Sequence, residues 1–447
     1  MSSPAPAARR RAAALLPLTL AATFAVAAGP GAAGPPHAGG PFAPGVASAA
    51  TTATKTSTKK KTKKKAPKYT VEGELRKLRS ARDISAADLR TWRALYRDAK
   101  AKAARLPKGT ARTELQGVVR NTDEIAGRRK LSASLAPSVF LTLQVNRDWW
   151  TARAAPAAGA RPAVPGSPLT WQYYPGEGLQ IQWLATFGTA NALATTQTPA
   201  KLEQLRAIED EALRLASTRA GGPAWQYLFD FGGGAPPWGS GMAQVTGMQS
   251  LVRASTRLGD TKYAQTALKA VELLRHKQPN GALLKGDVGD HLLLYTFTTM
   301  RVMNAFTQAV SGLHEVAATT GDPKVASTYV RAERQLRAEL PQYDLGTWAR
   351  YSLGGKPETP SYHTLSRDLL RGMCRTLQAD AALFAAGQPV AGGLPPAPPD
   401  LYCALGERFA QDLRATPSGP AASRARSRAA VPAPAAVGLD APAVSQP

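Results

Sequence analysis

The sequence predicts a mostly α fold of stacked antiparallel helix hairpins, and three observations predict it. Nearly every stretch with apolar periodicity repeats at helical spacing. One punctuation recurs, as Gly259-Asp260-x-Lys262 and Gly321-Asp322-x-Lys324, with the two glycines 62 positions apart. Each glycine can close one helix in the left-handed conformation, and each aspartate can cap the next. Three tyrosines, Tyr295, Tyr351 and Tyr362, fall where loops meet helix ends. Hairpins at this repeat length suit an α/α toroid or an α-solenoid. In a toroid the loops of one end converge on the active site, and the tyrosines belong to such loops.

The elements follow in chain order. Residues 1–28 read as a signal peptide or N-terminal anchor, with Arg9, Arg10 and Arg11 before an uncharged apolar run. Residues 29–68 pass from Gly/Pro/Ala to Thr/Ser and then to a lysine run. Such a stretch cannot bury enough apolar area to offset its ordering entropy, so a disordered linker is expected. Residues 69–153 form an N-terminal helical region. Ser85 and Asp88 make a capping box for a helix to about 106, with Leu89, Trp92, Leu95 and Tyr96 on one face. Helices over about 110–129 and 137–151 complete that layer.

A Pro/Ala/Gly connector leads to the main helical domain, 169–415. It opens with a small β-hairpin, whose strands 171–174 and 179–183 flank the Pro175–Gly178 turn. Helices are predicted over 187–194, 199–217, 242–258 and 300–320, among others. The Gly/Pro/Trp-rich stretch 221–241 is long for a connection and reads as a functional loop. Residues 416–447 return to Pro/Ala/Ser and are expected to be a disordered tail.

Charge and cysteine content narrow the function classes. The chain carries +25, of which +11 lies in residues 1–68 and +12 in residues 69–420. A basic fold on an exported chain suits an acidic polysaccharide as partner, and the lysine run suits contact with a cell-surface polyanion. The lysine run has no interleaved aromatics, so no nucleic-acid partner is expected. The two cysteines, Cys374 and Cys403, cannot build a Cys-rich zinc site, and the five histidines lack metal-ligand spacing, so no metal is expected. A Cys374–Cys403 disulfide is permitted in an oxidising compartment. Spacing alone does not establish it.

Four segments occur in a recognisable order: PPWGSGMAQVTGMQSLVRAS, YTFTTMRVMNAFTQAVSGLHEV, LPQYDLGTWARYSL and SYHTLSRDLL. The sharpest pieces are Trp238-x-Ser240-x-Met242-Ala243-Gln244, Pro341-x-Tyr343-Asp344-x-Gly346 and Tyr362-His363-Thr364. Together they resemble the C-terminal domain of D-glucuronyl C5-epimerases, over about residues 238–413. The resemblance implies an α/α-barrel-like domain with a cleft for a uronate polymer and no cofactor. It places the family's active-site tyrosines on Tyr295, Tyr351 and Tyr362. Two departures stand out. Leu294 replaces the acidic residue that precedes the first tyrosine in the familiar animal enzymes, and Gly354 and Gly355 replace an Arg-His pair.

The chemistry explains the tyrosines. A uronyl C5 hydrogen is α to a carboxylate, so its removal adds charge to an anionic group that the site must stabilise. Epimerisation needs proton transfer on both sugar faces. Tyrosine has an unperturbed pKa of about 10, so one phenol must be held deprotonated by nearby positive charge. Tyr351 and Tyr362 are the expected proton-transfer pair, with Tyr295 as positioner or alternate base. His363 and Arg350 are candidates for the carboxylate, though a structural hydrogen bond and a solvated face are their plain alternatives. Trp238 and Gln244 are further substrate-binding candidates, Trp238 by stacking on a sugar unless it anchors the core. Other outcomes stay open: β-elimination from the same intermediate, a non-catalytic glycan-binding protein, or a glycoside hydrolase. The hydrolase would need a carboxylate pair from Glu177, Asp230, Asp287, Asp290, Asp344 and Glu358.

Overall fold

The structure, a computed structural model, describes residues 69–392 and 395–415. The expected export segment, lysine-rich linker and C-terminal tail lie outside the described residues. The N-terminal layer is α1 (Val71–Ser80), α2 (Ala86–Arg105), α3 (Thr110–Gly127) and α4 (Ala136–Ala152). The Ser85–Asp88 capping box is present, with the Ser85 and Asp88 side chains each accepting from the other's backbone N–H. Trp92 stacks on Phe140 across α2 and α4, with ring centroids 5.1 Å apart. Sequence reasoning missed α1, which Thr70 caps and Glu72 ties to Arg93 and Arg97 of α2.

The main domain begins with β1 (Trp171–Tyr174) and β2 (Gly178–Ile181), then α5 (Trp183–Ala194) and α6 (Pro199–Leu215). The stretch expected as one long loop instead forms strands. β3 (Ser217–Arg219) pairs with β4 (Gly222–Ala224), and β5 (Gln226–Tyr227) with β6 (Trp238–Gly239). There follow α7 (Gly241–Leu258), α8 (Thr261–Ala270), the single turn α9 (Glu272–Arg275), β7 (Leu283–Lys285) and β8 (Asp290–Leu292). The chain closes with α10 (Met303–Thr320), α11 (Pro323–Tyr343), α12 (Pro360–Ala385) and α13 (Asp400–Ala415).

Both repeat punctuations fold as their residues dictate. Gly259 and Gly321 have φ of 68° and 65°, the left-handed region where a Cβ is costly. Asp260 accepts from the N–H of Lys262, and Asp322 from those of Lys324 and Val325. Helix direction therefore reverses at each punctuation, which gives the hairpins α7/α8 and α10/α11.

The hairpins stack in two layers, as in an α/α toroid. The inner row runs α5, α7, α10, α12, each packed on the next, while α6, α8, α11 and α13 pack outside. Small residues let the inner helices approach. An ideal Cβ on Gly247 of α7 would lie 2.7 Å from the Phe187 ring of α5, and one on Gly312 of α10 would lie 2.6 Å from Val245 of α7. Trp183, Phe187, Trp225 and Phe306 are wholly buried in this core. Each contributes roughly 1.5–3 kcal/mol through the apolar area it removes from water.

The inner helices run parallel, so their N-termini share one end of the stack. At that end each is entered through a strand pair: β1–β2 before α5, β5–β6 before α7, β7–β8 before α10, and bridges over 344–357 before α12. These entries are laced together. Ser240 bridges Tyr295, and Val302 bridges Ser352. The three tyrosines all lie on this laced end.

Candidate active site

Tyr351 sits on a short strand held from both sides. Its N–H donates to Lys356 O at 3.0 Å, and its carbonyl accepts from Met303 N–H at 3.1 Å. Upstream, Asp344 accepts from Gly346 N–H at 2.8 Å, and Gly346 takes φ of 89°. That fixes the turn of the Pro341-x-Tyr343-Asp344-x-Gly346 motif, and Arg408 of α13 clamps the same carboxylate. Tyr362 arrives separately, in the first turn of α12, where Thr359 caps and Pro360 starts the helix.

The two rings meet edge to face, with centroids 5.1 Å apart and planes at 68°. Both are half-buried.

Tyr295 does not share that contact. It is 2 % exposed and lies in an aromatic cluster. Its ring is parallel to Phe297 at 5.2 Å and edge-on to Trp238 and Phe231 at 5.2 and 5.6 Å. Tyr295 thus forms part of the wall behind Phe231 and Phe297, which are half-buried.

Of the four expected substrate contacts, three are buried and one is half-buried. His363 is fully buried between Trp348 and Phe409, with ring centroids at 3.9 and 4.6 Å. Its Nδ1 is 3.3 Å from Glu358 and its Nε2 3.6 Å from Asp412. It is a core histidine that joins α12, α13 and the Tyr351 hairpin. Trp238 is also buried, stacked on Tyr227 at 4.3 Å, with its indole N–H donated to Phe229 O. Gln244 is buried and donates to Pro223 O and Ala270 O. Arg350 is half-buried and folds onto its own hairpin, donating to Gly355 O at 3.1 Å.

Three polar centres, two buried and one half-buried, escaped the sequence reading. Glu114 of α3 accepts from Tyr173 OH, Gly176 N–H and Gly178 N–H, and so pins the β1–β2 turn to the N-terminal layer. Arg219 donates to Gln226, Pro237, Pro279, Asn280 and Thr296, which ties three entry loops together. Burial pushes its pKa down to about 10, still charged at neutral pH. Glu339 of α11 gathers His291, Arg301, Gln335 and Tyr343. None of these residues lies within a sequence motif for chemistry; each is read only from its partners.

The carboxylates offered for hydrolysis are mostly engaged. Asp290 pairs with Lys285 and Arg331 at 2.6 and 2.7 Å, Asp344 with Arg408, and buried Glu358 accepts from Ser366 at 2.6 Å. Asp287 lies in the β7–β8 turn. Burial pushes the Glu177 and Asp230 carboxyls up, and the charge of Asp230 adds to the shift at Glu177. Glu177 is nonetheless held by Asn121 and Arg120 of α3, away from the tyrosine pair's own elements.

Residues 222–383, from β4 through most of α12, match the family described as D-glucuronyl C5-epimerase C-terminus. This region belongs to that family. All three tyrosines lie inside it. No curated protein matches the chain. Among solved structures, a sugar epimerase from a ruminal bacterium is 11% identical, covering 53% of this chain and 60% of its own, with a TM-score of 0.37. A family 76 glycoside hydrolase from a bovine Bacteroides thetaiotaomicron strain is 13% identical over 54% of this chain and 49% of its own, with a TM-score of 0.37. The endo-beta-1,4-glucanase CMCax from Acetobacter xylinum is 13% identical over 53% of this chain and 89% of its own, with a TM-score of 0.31. Likenesses this weak decide nothing about chemistry. The chain spans less than two thirds of the sugar epimerase it matches.

Proposed function

We propose that this protein is a C5-epimerase of D-glucuronyl residues in an acidic polysaccharide, acting outside the cytoplasm. The observation that carries the reading is the contact of Tyr351 with Tyr362 inside a domain of the glucuronyl epimerase family. Two half-exposed phenols on different elements supply two proton-transfer groups, and epimerisation needs one for each face of the sugar. The Cys374–Cys403 disulfide and the basic charge support an oxidising compartment and an anionic substrate.

In the proposed reaction one tyrosine, as phenolate, takes the C5 proton. The C–H electrons pass into the adjacent carboxylate, which becomes an enediolate. The other phenol returns a proton to C5 from the opposite face. Exchange with solvent then restores both tyrosines, the first losing a proton and the second regaining one. Cations near the carboxylate lower the barrier by meeting charge that develops in the transition state.

The test is hydrogen exchange at C5. Heparosan is incubated with the full chain in deuterium oxide, and deuterium at C5 is read by NMR. Wild type is expected to label C5 and to form iduronate. Tyr362→Phe and Tyr351→Phe are each expected to lose about a hundredfold or more in exchange rate, the scale of a lost general acid or base. Label without iduronate but with an unsaturated end would mean elimination. Tight binding of polymer with no label would sink the catalytic reading and leave a glycan-binding protein.

A further inference from the structure

We propose that Arg301 binds the substrate's uronate carboxylate beside Tyr351 and Tyr362. The proposal rests on the epimerase reading and deepens it. Residues 301–303 and 351–353 form a short antiparallel ribbon. Leu353 N–H donates to Arg301 O at 3.0 Å, Met303 N–H donates to Tyr351 O at 3.1 Å, and Val302 lies opposite Ser352. Side chains alternate along such a ribbon. Val302 and Ser352 therefore share one face, and Arg301, Met303, Tyr351 and Leu353 share the other.

Burial agrees with the alternation at five of the six positions. Val302 and Ser352 are buried at 1 % and 6 % exposure, while Arg301, Tyr351 and Leu353 are all half-buried; Met303, which starts α10, is buried at 1 %. Arg350 adjoins Tyr351 in sequence, but alternation assigns it to the Ser352 face, and its guanidinium is turned to Gly355 O. The facing strand, rather than the neighbouring residue, brings a cation to the face of Tyr351.

The guanidinium is also preset. Its Nη1 lies 3.3 Å from Glu339 Oε1, a carboxylate that is 1 % exposed. That carboxylate also accepts from Gln335 Nε2 at 2.7 Å and Tyr343 OH at 3.3 Å, and lies 2.8 Å from His291 Nδ1. Burial raises the pKa of Glu339, but hydrogen bonds from His291 and Gln335 and the Arg301 charge outweigh it and keep the carboxyl below its usual range. Burial holds His291 below its usual value, and its Nδ1 lies within hydrogen-bond distance of Glu339. Glu339 therefore stays ionised and fixes one edge of Arg301. Among the described residues Arg301 spends only Nη1 on a protein acceptor, which leaves Nε and Nη2 for a forked contact with a carboxylate. A side chain already fixed loses little rotamer freedom when the anion arrives.

The experiment compares wild type with Arg301→Gln, Arg301→Lys and the double variant Arg301→Met/Glu339→Gln. The double variant leaves no buried carboxylate unpaired, so it separates lost binding from lost folding. Calorimetry measures affinity for heparosan and for carboxyl-reduced heparosan, and C5 exchange gives KM and kcat. Arg301→Gln and the double variant are expected to bind heparosan about tenfold or more weaker, the scale of a lost charged hydrogen bond, and to lose the preference over the reduced polymer. Arg301→Lys should keep part of that preference. Variants that fold and still prefer the carboxylated polymer as wild type does would overturn the proposal. A wild type that prefers the carboxylated polymer but never exchanges C5 would remove the epimerase reading, while the binding comparison still judges Arg301. A wild type that binds neither polymer overturns both.

Discussion

Glu209 of α6 is wholly buried against α7, and desolvation pushes its pKa up to about 8, with Ser250 giving partial relief. A carboxyl whose folded pKa is raised holds its stabilising proton below the unfolded value. That stability is lost as pH rises through the folded pKa. Stability should therefore fall between about pH 4.5 and 8, and Glu209→Gln should remove that part of the slope. At pH 7 the variant should gain on the order of 3 kcal/mol. Urea unfolding at pH 5, 7 and 8.5 would check this; a difference that does not widen with pH would count against it. Single residues are also where sequence reading was least secure. Tyr362 and His363 are neighbours in one motif, yet successive helical residues turn by about 100°, so one faces the site and the other the core. Trp238 and Gln244 were legible as unusual residues, but the carbonyls they bind come from other elements. Nothing local marks Glu114, Arg219 or Glu339 as hubs, because their partners are far away in the chain.

The elements were largely legible, because caps and stops are local. Ser85 with Asp88, Gly259 with Asp260 and Gly321 with Asp322 all act where the sequence put them. Asp322 accepts from two backbone N–H groups at 2.9 Å. Asp322→Ala should lose about 1 kcal/mol, and Asp322→Asn most of that less. Thermal unfolding would check the order, and equal losses in both variants would argue that the carboxylate's charge, rather than its capping oxygen, matters. The misses are equally physical. Helical periodicity suggested a start at residue 300, but α10 starts at Met303 because Arg301 O and Met303 N–H are taken by the Tyr351 strand. The Gly/Pro-rich stretch read as loop carries β4, β5 and β6, two or three residues each, too short to show a period of two.

At the scale of the whole molecule, α13 holds the tyrosine hairpin from outside. Cys374 and Cys403 are joined across α12 and α13, with Cα atoms 4.9 Å apart. On the same helix, Phe409 packs on His363 and Arg408 clamps Asp344. Opening the bridge should cost about 3.6 kcal/mol, the chain-entropy value for a closed loop of this size, and should loosen residues 344–359. The check is thermal unfolding with and without reductant, together with amide exchange at Tyr351 and Leu353. Unchanged protection of those two amides in Cys374→Ser/Cys403→Ser would show that packing alone holds the hairpin. The bridge was permitted by the sequence but needed the structure, since the separation of two Cα atoms on different helices is a packing result.

What the sequence determined by itself is what local physics writes: helix ends, the hairpin repeat, the basic charge and the family motif that holds three tyrosines. Tertiary structure decided which of those tyrosines meet, and which neighbours stand beside them. Tyr295 went to an aromatic wall, His363 to the core, and Arg350 to its own hairpin. Arg301 came to the face of Tyr351 through hydrogen bonds between segments on opposite sides of a helix hairpin. Strand alternation is fixed only once the pairing exists, so no pattern within either segment could have announced it.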